Sequence, residues 1–152
     1  MDQVETIDVF NTVLEAGLRS VILLNEYYPT PIGFEEIVKL DYVLVYSKDF
    51  NGPKSLHPCI PNRKGELAVR RKLVRDGLAL MKRFGLINVL CEKEAIYYSV
   101  TGDAKPLIKL MKSEYSMSLK NNAKWCVGQL NHSGFQYFNK IFMDVAFWLW
   151  KM

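Results

Sequence analysis

Histidine and cysteine are scarce in this 152-residue sequence, which contains two of the former and three of the latter. It also has no run of about 18 consecutive apolar residues, so we expect no transmembrane helix. The first residues, MDQVETIDVF, are acidic and lack the basic region and apolar core of a signal peptide. The cysteines, odd in number and widely spaced, therefore predict reduced thiols in a cytoplasmic protein.

Several motifs that carry catalysis are missing as well. The sequence has no glycine-rich phosphate loop and no Cys-x-x-Cys or His-x-x-x-His spacing, which predicts neither an ATPase nor a metal site. Ser55 and His57 could be combined with Asp49 into a hydrolytic triad, but they lack the strand-turn-helix context that exposes a nucleophile. We therefore expect His57 to fix its loop by a hydrogen bond, in a non-enzymatic protein without cofactors.

The charges are distributed unevenly along the chain. Residues 1–60 carry four basic and nine acidic side chains, residues 61–83 carry eight and two, and residues 84–152 carry eight and five. A strongly basic central segment beside an acidic first third indicates either contact with nucleic acid or an internal match between these two parts.

Hydrophobic periodicity predicts three helices followed by a β-hairpin. The helices are expected at 11–28, with Asn11 as the cap, at 34–46 and at 64–84, and the strands at 86–91 and 96–100. This order is that of a winged helix-turn-helix domain with a β-hairpin wing, in an α+β fold that is mostly helical. The irregular stretch 47–61 is long for that fold, which argues against a simple reader of DNA sequence.

A further helical pattern begins near Thr101 and continues to about Asn131, with a break near Ser113. We therefore divide the chain into a winged-helix domain, 1–101, and a C-terminal helical extension, 102–152. The two are expected to form one structural unit.

The end of this extension, 135–152, contains seven aromatic residues. A helix of this composition is apolar on nearly all sides, so it orders only when it is buried against another surface. Its terminal position favours a partner's groove, although completion of the chain's own core is the alternative. The predicted interface residues are Phe135, Phe138, Phe142, Val145, Trp148, Leu149 and Trp150.

Four cations fall within about 40° of one another around the third helix when residues are placed at steps of about 100°. They are Lys64, Arg71, Arg75 and Lys82. Such a stripe would bind DNA phosphates through counterion release, or it would meet an acidic partner protein. Because it lacks the Asn and Gln side chains that read bases, we expect no sequence-specific recognition.

Other charged residues of the third helix project toward its apolar side, where a charge needs a partner because its desolvation is costly. Glu66 and Arg70 are four residues apart and can pair, and the acidic first third supplies further carboxylates. We predict a structural polar cluster that ties the 47–61 loop to the core. Its members are Asp41, Asp49, His57, Arg63, Glu66 and Arg70.

A series of short motifs occurs in order along residues 11–130. They are Asn11-Thr12, Leu40-Asp41-Tyr42, Asp49-Phe50, Ser55-Leu56-His57-Pro58, Pro61, Arg63, Gly65-Glu66-Leu67, Val69-Arg70-Arg71 and Gly77-Leu78. Together they resemble the middle component of ABC-three-component bacterial conflict systems, which include Lamassu-type defence. The polar positions of that pattern correspond to Asp41, Asp49, His57, Arg63, Glu66, Arg70 and Arg71.

The resemblance implies a small non-enzymatic winged-helix subunit. Its implied partners are an SMC- or Rad50-like ABC ATPase and an effector, often a nuclease, in a complex that senses foreign or aberrant DNA. The expected function is an adaptor that bridges ATPase and effector in anti-phage defence, with double-stranded DNA as an additional contact and no membrane. The alternative is a winged-helix transcriptional regulator that acts as a homodimer.

Overall fold

The computed structural model of the chain describes residues 12–57 and 63–129, together with 140 and 143. Within these residues the chain is mostly helical with one small antiparallel sheet, and the predicted α+β class is confirmed. The elements are, in chain order, α1 (Val13–Glu26), β1 (Ile32–Gly33), α2 (Phe34–Val45), a 3₁₀ helix (Ser47–Phe50), α3 (Arg63–Arg83), β2 (Ile87–Glu92), β3 (Ala95–Val100), α4 (Ala104–Leu110) and α5 (residues 114–129).

The first helix is capped one residue later than the sequence predicts. Thr12, and not Asn11, is the N-cap of α1, and its Oγ1 atom accepts a hydrogen bond of 3.1 Å from the Glu15 amide. A cap in this position satisfies one of the amide groups that have no partner inside the helix. α1 ends at Glu26, so the predicted end near Tyr28 is slightly too late.

A short strand, β1, lies between α1 and α2, where the sequence predicts no strand. Ile32 and Gly33 pair with Tyr98 and Tyr97 of β3, and the sheet has the order β1-β3-β2. A strand of two residues is too short for an alternating pattern to reveal it. β1 joins the hairpin to the segment that enters α2.

The predicted β-hairpin is confirmed. β2 and β3 are antiparallel, and their register begins with Glu92 opposite Ala95. The two residues between the strands, Lys93 and Glu94, have positive φ angles of 48° and 67°. A turn of this geometry matches the twist of the strands that it connects.

α1 and α3 pack against each other at two glycines. A Cβ atom added at Gly77 would lie 2.5 Å from the amide nitrogen of Gly17, and one added at Gly17 would lie 2.8 Å from the carbonyl oxygen of Gly77. The two backbones therefore approach more closely than larger residues allow. This contact sets the position of α3, whose Val74, Leu78 and Met81 are buried in the hydrophobic core.

The C-terminal extension breaks between α4 and α5, as its sequence predicts near Ser113. On α5, Leu119, Ala123 and Cys126 are buried in the same hydrophobic cluster as residues of α1, α2 and α3. The described part of the extension therefore packs directly against the preceding helices.

Candidate partner and nucleic-acid interface

The exposed face of α3 is strongly basic. Its exposed cations are Arg71, Lys72, Arg75, Lys82 and Arg83, a set that we call the α3 basic face. Lys64, the remaining member of the predicted stripe, lies in the first turn of the same helix, but its side chain is outside the described part of the chain. Ala68 and Ala79 are exposed between the cations, so their small side chains leave room for a polyanion to approach the helix.

Arg71 is held by the beginning of α2. Its Nη1 atom donates a hydrogen bond of 2.6 Å to Glu35 Oε2, and its Nη2 atom donates a second to Glu35 Oε1. The guanidinium carbon also lies 5.4 Å from the centre of the Phe34 ring. Both charged side chains are about half exposed, at 47% and 52%, so the pair stabilises the fold by about 1 kcal/mol or less. A phosphate that approached Arg71 would have to compete with Glu35.

Beneath this face, Asp41 of α2 lies between two arginines. Arg19 of α1 donates from Nε to Asp41 Oδ1, and Arg70 of α3 donates from Nη1 to Asp41 Oδ2, both at 2.8 Å. The three side chains have no exposed surface. The carboxylate therefore connects α1, α2 and α3 through charge-assisted hydrogen bonds.

The electrostatics of this triad keep all three groups charged at neutral pH. Burial alone would raise the pKa of the Asp41 carboxyl, but the guanidinium groups of Arg19 and Arg70 outweigh this effect and lower the pKa below its ordinary value. Burial likewise disfavours the charge on each arginine, but the Asp41 carboxylate outweighs it and raises both pKa values. Because the groups are paired and buried, the loss of one would leave an uncompensated charge inside the protein.

Further hydrogen bonds extend this triad into a larger network, which we call the buried charge network. One end of it lies on α3 itself. Arg70 Nη2 donates a hydrogen bond of 2.7 Å to Glu66 Oε1, and the Tyr46 hydroxyl donates one of 3.0 Å to the same oxygen. The Arg70 guanidinium carbon also lies 5.4 Å from the centre of the Tyr46 ring. Burial, opposed in part by Arg70, raises the pKa of Tyr46 to about 12.

The other end of the network joins α1 to the loop after α2 and to α5. Glu15 Oε1 accepts a hydrogen bond of 2.8 Å from Arg19 Nη1 and lies 3.2 Å from His57 Nε2. The Tyr115 hydroxyl donates a hydrogen bond to the same carboxylate and lies 3.2 Å from His57 Nε2. Burial, together with this carboxylate, raises the pKa of Tyr115. His57 therefore connects its loop to two helices.

The loop after α2 is also held by hydrogen bonds of serine and asparagine side chains. Ser47 Oγ donates a hydrogen bond of 2.8 Å to the Pro53 carbonyl oxygen, and Asn122 Nδ2 of α5 donates one of 3.1 Å to Ser47 Oγ. Ser55 Oγ accepts a hydrogen bond of 3.1 Å from the Lys48 amide. These contacts give Ser47, Ser55 and Asn122 structural roles in the folding of the loop.

The structure brings part of the predicted polar cluster together directly. Arg70 is paired with both Asp41 and Glu66. His57 is connected to Asp41 indirectly, because Glu15 contacts His57 and Arg19, and Arg19 contacts Asp41. Asp49 is half-buried in the 3₁₀ helix, and the side chain of Arg63 lies outside the described part of the chain.

The prediction from sequence missed four members of the network: Glu15, Arg19, Tyr46 and Tyr115. Arg19 had a usable signal, because it stands in the apolar run that forms the buried face of α1. A charged residue at such a position requires a buried partner of opposite charge. Tyr115 is separated from Glu15 by 100 residues, and no local spacing indicates that contact.

A family model for Middle Component 2 of ABC-three component (ABC-3C) systems matches residues 9–149 of the chain. The chain belongs to this Middle Component 2 family. The resemblance inferred from the short motifs is thereby confirmed at the level of an ABC-3C middle component. No curated protein and no solved structure matches the chain. The partners of a Middle Component 2 protein are the other components of its ABC-3C system.

The predicted aromatic interface of this Middle Component 2 chain lies outside the described residues. It comprises Phe135, Phe138, Phe142, Val145, Trp148, Leu149 and Trp150. Within 135–152 the structure describes Lys140 and Met143, which are both helical and exposed. The interface prediction therefore remains a proposal.

The described part of this Middle Component 2 protein contains two cysteines and no cluster of metal-binding side chains. No group of three His, Cys, Asp or Glu side chains there could hold a metal ion. The thiols of Cys91 and Cys126 are free, the first exposed and the second buried, and burial raises the pKa of Cys126 to about 12.

None of the helices in residues 12–57 and 63–129 is both long and apolar enough to cross a membrane.

Proposed function

We propose that this Middle Component 2 protein is a non-enzymatic, cytoplasmic adaptor that bridges an SMC- or Rad50-like ABC ATPase and an effector in anti-phage defence. The observation that carries the proposal is the family match over residues 9–149, because a middle component acts with other components. Asp41, Arg19 and Arg70 are paired with one another inside the fold, which supports a structural role for these charges and not a catalytic one.

The adaptor is proposed to have a winged-helix domain at 1–101 and a helical extension at 102–152. The element order α1-β1-α2-α3-β2-β3 and the sheet order β1-β3-β2 support this interpretation. In a winged helix the third helix is the one that enters a DNA groove and the hairpin is the wing. The long connection between α2 and α3 is the main departure from the three- or four-residue turn of a simple helix-turn-helix motif.

Double-stranded DNA is proposed as an additional contact of the complex, made by the α3 basic face. Five exposed cations on one helix supply the charge, and the buried network beneath them fixes the orientation of that helix. Contacts of this kind are made to phosphates, so they provide affinity without reading the base sequence.

The aromatic segment is proposed as the attachment to the ATPase or the effector. The test is co-expression of the chain with its genomic neighbours, followed by affinity purification and mass spectrometry. We expect both an ATPase and an effector to be recovered. Replacement of Phe142, Trp148, Leu149 and Trp150 by Ser should abolish that recovery, because it removes both tryptophans of the segment together with two further large apolar side chains.

The control is the pair Tyr28→Ser and Leu110→Ser, which removes large exposed apolar side chains from the part of the chain that the structure describes. This control should leave the complex intact. Recovery of the complex with the quadruple variant would remove the aromatic interface, and recovery of neither partner with the wild type would contradict the adaptor function itself.

The second candidate is a homodimeric winged-helix transcriptional regulator, which the α3 basic face and the adjacent hairpin favour. A regulator of this kind binds a palindromic site as a free dimer. DNase footprinting on the promoter of its own operon distinguishes the two candidates, because an adaptor without its complex should protect no defined site.

A further inference from the structure

The outer edge of β2 is open in the part of the chain that the structure describes. The sheet has the order β1-β3-β2, so β2 is hydrogen-bonded to β3 on one side and to no described strand on the other. We call this side of Ile87–Glu92 the β2 edge. Most of its residues are exposed, and Leu90 has an exposed fraction of 50%. An edge of this kind presents backbone N–H and C=O groups that can pair with a further strand.

The β2 edge lacks the features that usually prevent two edges from pairing. Proteins protect an exposed edge with a proline, a lysine, a bulge or a very short strand. β2 has six residues, INVLCE, with no proline and no cation, and its register with β3 is continuous from Ile87 to Glu92. Its one charged residue, Glu92, stands at the end of the strand. The edge is therefore suited to pairing with another strand.

The contact between Thr101 and Leu86 shows which backbone groups of β2 are directed outwards. The Thr101 amide donates a hydrogen bond of 2.9 Å to the Leu86 carbonyl oxygen, so the backbone groups of Leu86 face β3. Backbone groups alternate in direction along an antiparallel strand. Those of Leu90 therefore face β3 as well, whereas those of Val89 and Cys91 point to the open edge.

The side chains of β2 alternate between the two faces of the sheet. Val89 is half-buried and packs against the hydrophobic core, so Asn88, Leu90 and Glu92 lie on the opposite, outer face. All three of these side chains are exposed. An apolar residue thus stands between an amide, which can donate hydrogen bonds, and a carboxylate, which accepts them. This pattern is complementary to a second copy of itself that runs in the opposite direction.

We propose that two copies of this chain associate through their β2 edges, as antiparallel strands centred on Leu90. In this register Val89 of each copy forms a hydrogen-bonded pair with Cys91 of the other, so the symmetric interface contains two such pairs. Leu90 packs against its counterpart, and Asn88 lies opposite Glu92, where its amide group can donate to the carboxylate. The two Glu92 carboxylates are four residues apart along the strands, at about 14 Å, so their repulsion is largely screened.

The neighbouring symmetric register, centred on Val89, matches the side chains less well. It places Leu90 opposite Asn88, so the exposed leucine has no apolar counterpart. It also places Glu92 opposite Leu86, so the carboxylate loses its amide partner. Register is determined by such side-chain matches, which favour the arrangement centred on Leu90. The proposal does not depend on the adaptor function or on DNA binding.

The first test is disulfide formation in the full chain, in a background that carries Cys91→Ser. Directly opposed residues whose backbone groups face away from each other have Cα atoms about 4.5 Å apart, a distance that a disulfide can span. Leu90→Cys should therefore form a covalent dimer with oxidised glutathione as the oxidant. The matched control is Asn88→Cys, which is equally part of the outer face but would lie about 14 Å from its counterpart and should not cross-link. The background chain without either substitution reports any dimer formed through the remaining cysteines.

The second test is sedimentation velocity of the full chain between about 0.01 and 1 mM. The paired segments, 88–92, are short, so we expect a weak dimer with a dissociation constant on the order of 0.1 mM. Leu90→Lys removes the apolar contact and sets two like charges opposite each other, which should raise the dissociation constant about tenfold or more. The control is Leu110→Lys, the same substitution at a side chain that is 76% exposed and not part of the sheet, and it should change the constant by less than about twofold.

Three results would overturn the proposal. They are a wild-type chain that stays monomeric at about 1 mM, equal cross-linking of Leu90→Cys and Asn88→Cys, and a dimer that Leu90→Lys leaves unchanged. The second result would indicate random collision of thiols, and the third would place the contact between copies outside the β2 edge.

Discussion

Arg70 and Asp41 form an ion pair in which neither side chain has any exposed surface, with 2.8 Å between Nη1 and Oδ2. The pair connects α3 to α2, and Arg19 extends it to α1. α3 carries the α3 basic face on the side opposite to Arg70. The orientation of that face therefore depends on buried charges that a binding partner cannot contact. Substitutions inside the network are therefore expected to act on stability first and on binding as a consequence.

Arg70→Met should destabilise the protein strongly. It leaves Asp41 with one of its two guanidinium partners, and the loss of one member of a buried pair typically costs about 3–5 kcal/mol. Urea denaturation followed by circular dichroism measures the free energy of unfolding. Arg71→Met on the same helix, which breaks a half-exposed pair, is the control and should cost about 1 kcal/mol or less. Equal losses in the two variants would contradict the structural importance of the buried pair.

Asp41 should also determine how stability changes in acid. Its pKa in the folded protein lies below the ordinary 3.8, so its contribution to stability is complete above that value and is lost as the pH falls toward the folded pKa. The difference in unfolding free energy between the wild type and Asp41→Asn should therefore be constant between about pH 5 and 7 and shrink below about pH 4. Urea titrations at a series of pH values measure this difference. A difference that stays constant down to pH 3 would disprove the expected pKa.

The two glycines between α1 and α3 give a prediction about packing. Gly77→Ala places a methyl group 2.5 Å from the Gly17 amide nitrogen, so the helices must move apart, at a cost of about 1–3 kcal/mol. Gly128→Ala on α5 meets no atom of the described residues within 4 Å and should instead stabilise its helix by about 0.5–1 kcal/mol. Thermal denaturation of both variants distinguishes close packing from a general effect of alanine. A stable Gly77→Ala variant would show that the contact is looser than the structure indicates.

DNA binding by the assembled complex should depend on the α3 basic face. Lys72→Glu, Arg75→Glu and Lys82→Glu together should weaken binding and reduce the salt dependence by roughly 0.9 per lost phosphate contact on a log–log scale. Arg71 is left unchanged because its reversal would also repel Glu35. Fluorescence anisotropy with a labelled duplex at several salt concentrations measures the slope.

A matched variant reverses Lys105, Lys109 and Lys112, which are exposed on α4 or directly after it. This variant changes the net charge equally and should leave the slope almost unaltered. If the slope is the same in all three proteins, the α3 basic face meets a protein and not phosphate.

Much of the local structure could be read from the sequence. The spacing of apolar residues predicted α2, α3 and the hairpin, because a helix or a strand that buries one face repeats with its own period. The pairing of Glu66 with Arg70 follows from the same reasoning, since residues four apart on a helix are neighbours. In the α3 basic face, Arg71, Arg75 and Lys82 were predicted from the same helical spacing, whereas Lys72 and Arg83 were not.

Contacts between distant segments could not be read in this way. Glu15 meets Tyr115 and His57 only because α1, α5 and the loop after α2 converge, and β1 exists only because Ile32 reaches Tyr98. The cation at Arg71 was predicted, but its pairing with Glu35 was not, because 36 residues separate the two.

For this protein, local periodicity and charge were sufficient to predict the class of fold and the basic helix, and a series of short motifs was sufficient for the resemblance to an ABC-3C middle component. Only the packed chain shows which charges are buried together, which cation is already paired and which segments pair as strands. The reason is physical. Periodicity is a property of neighbouring residues, whereas desolvation, ion pairing and strand register depend on which distant segments come into contact.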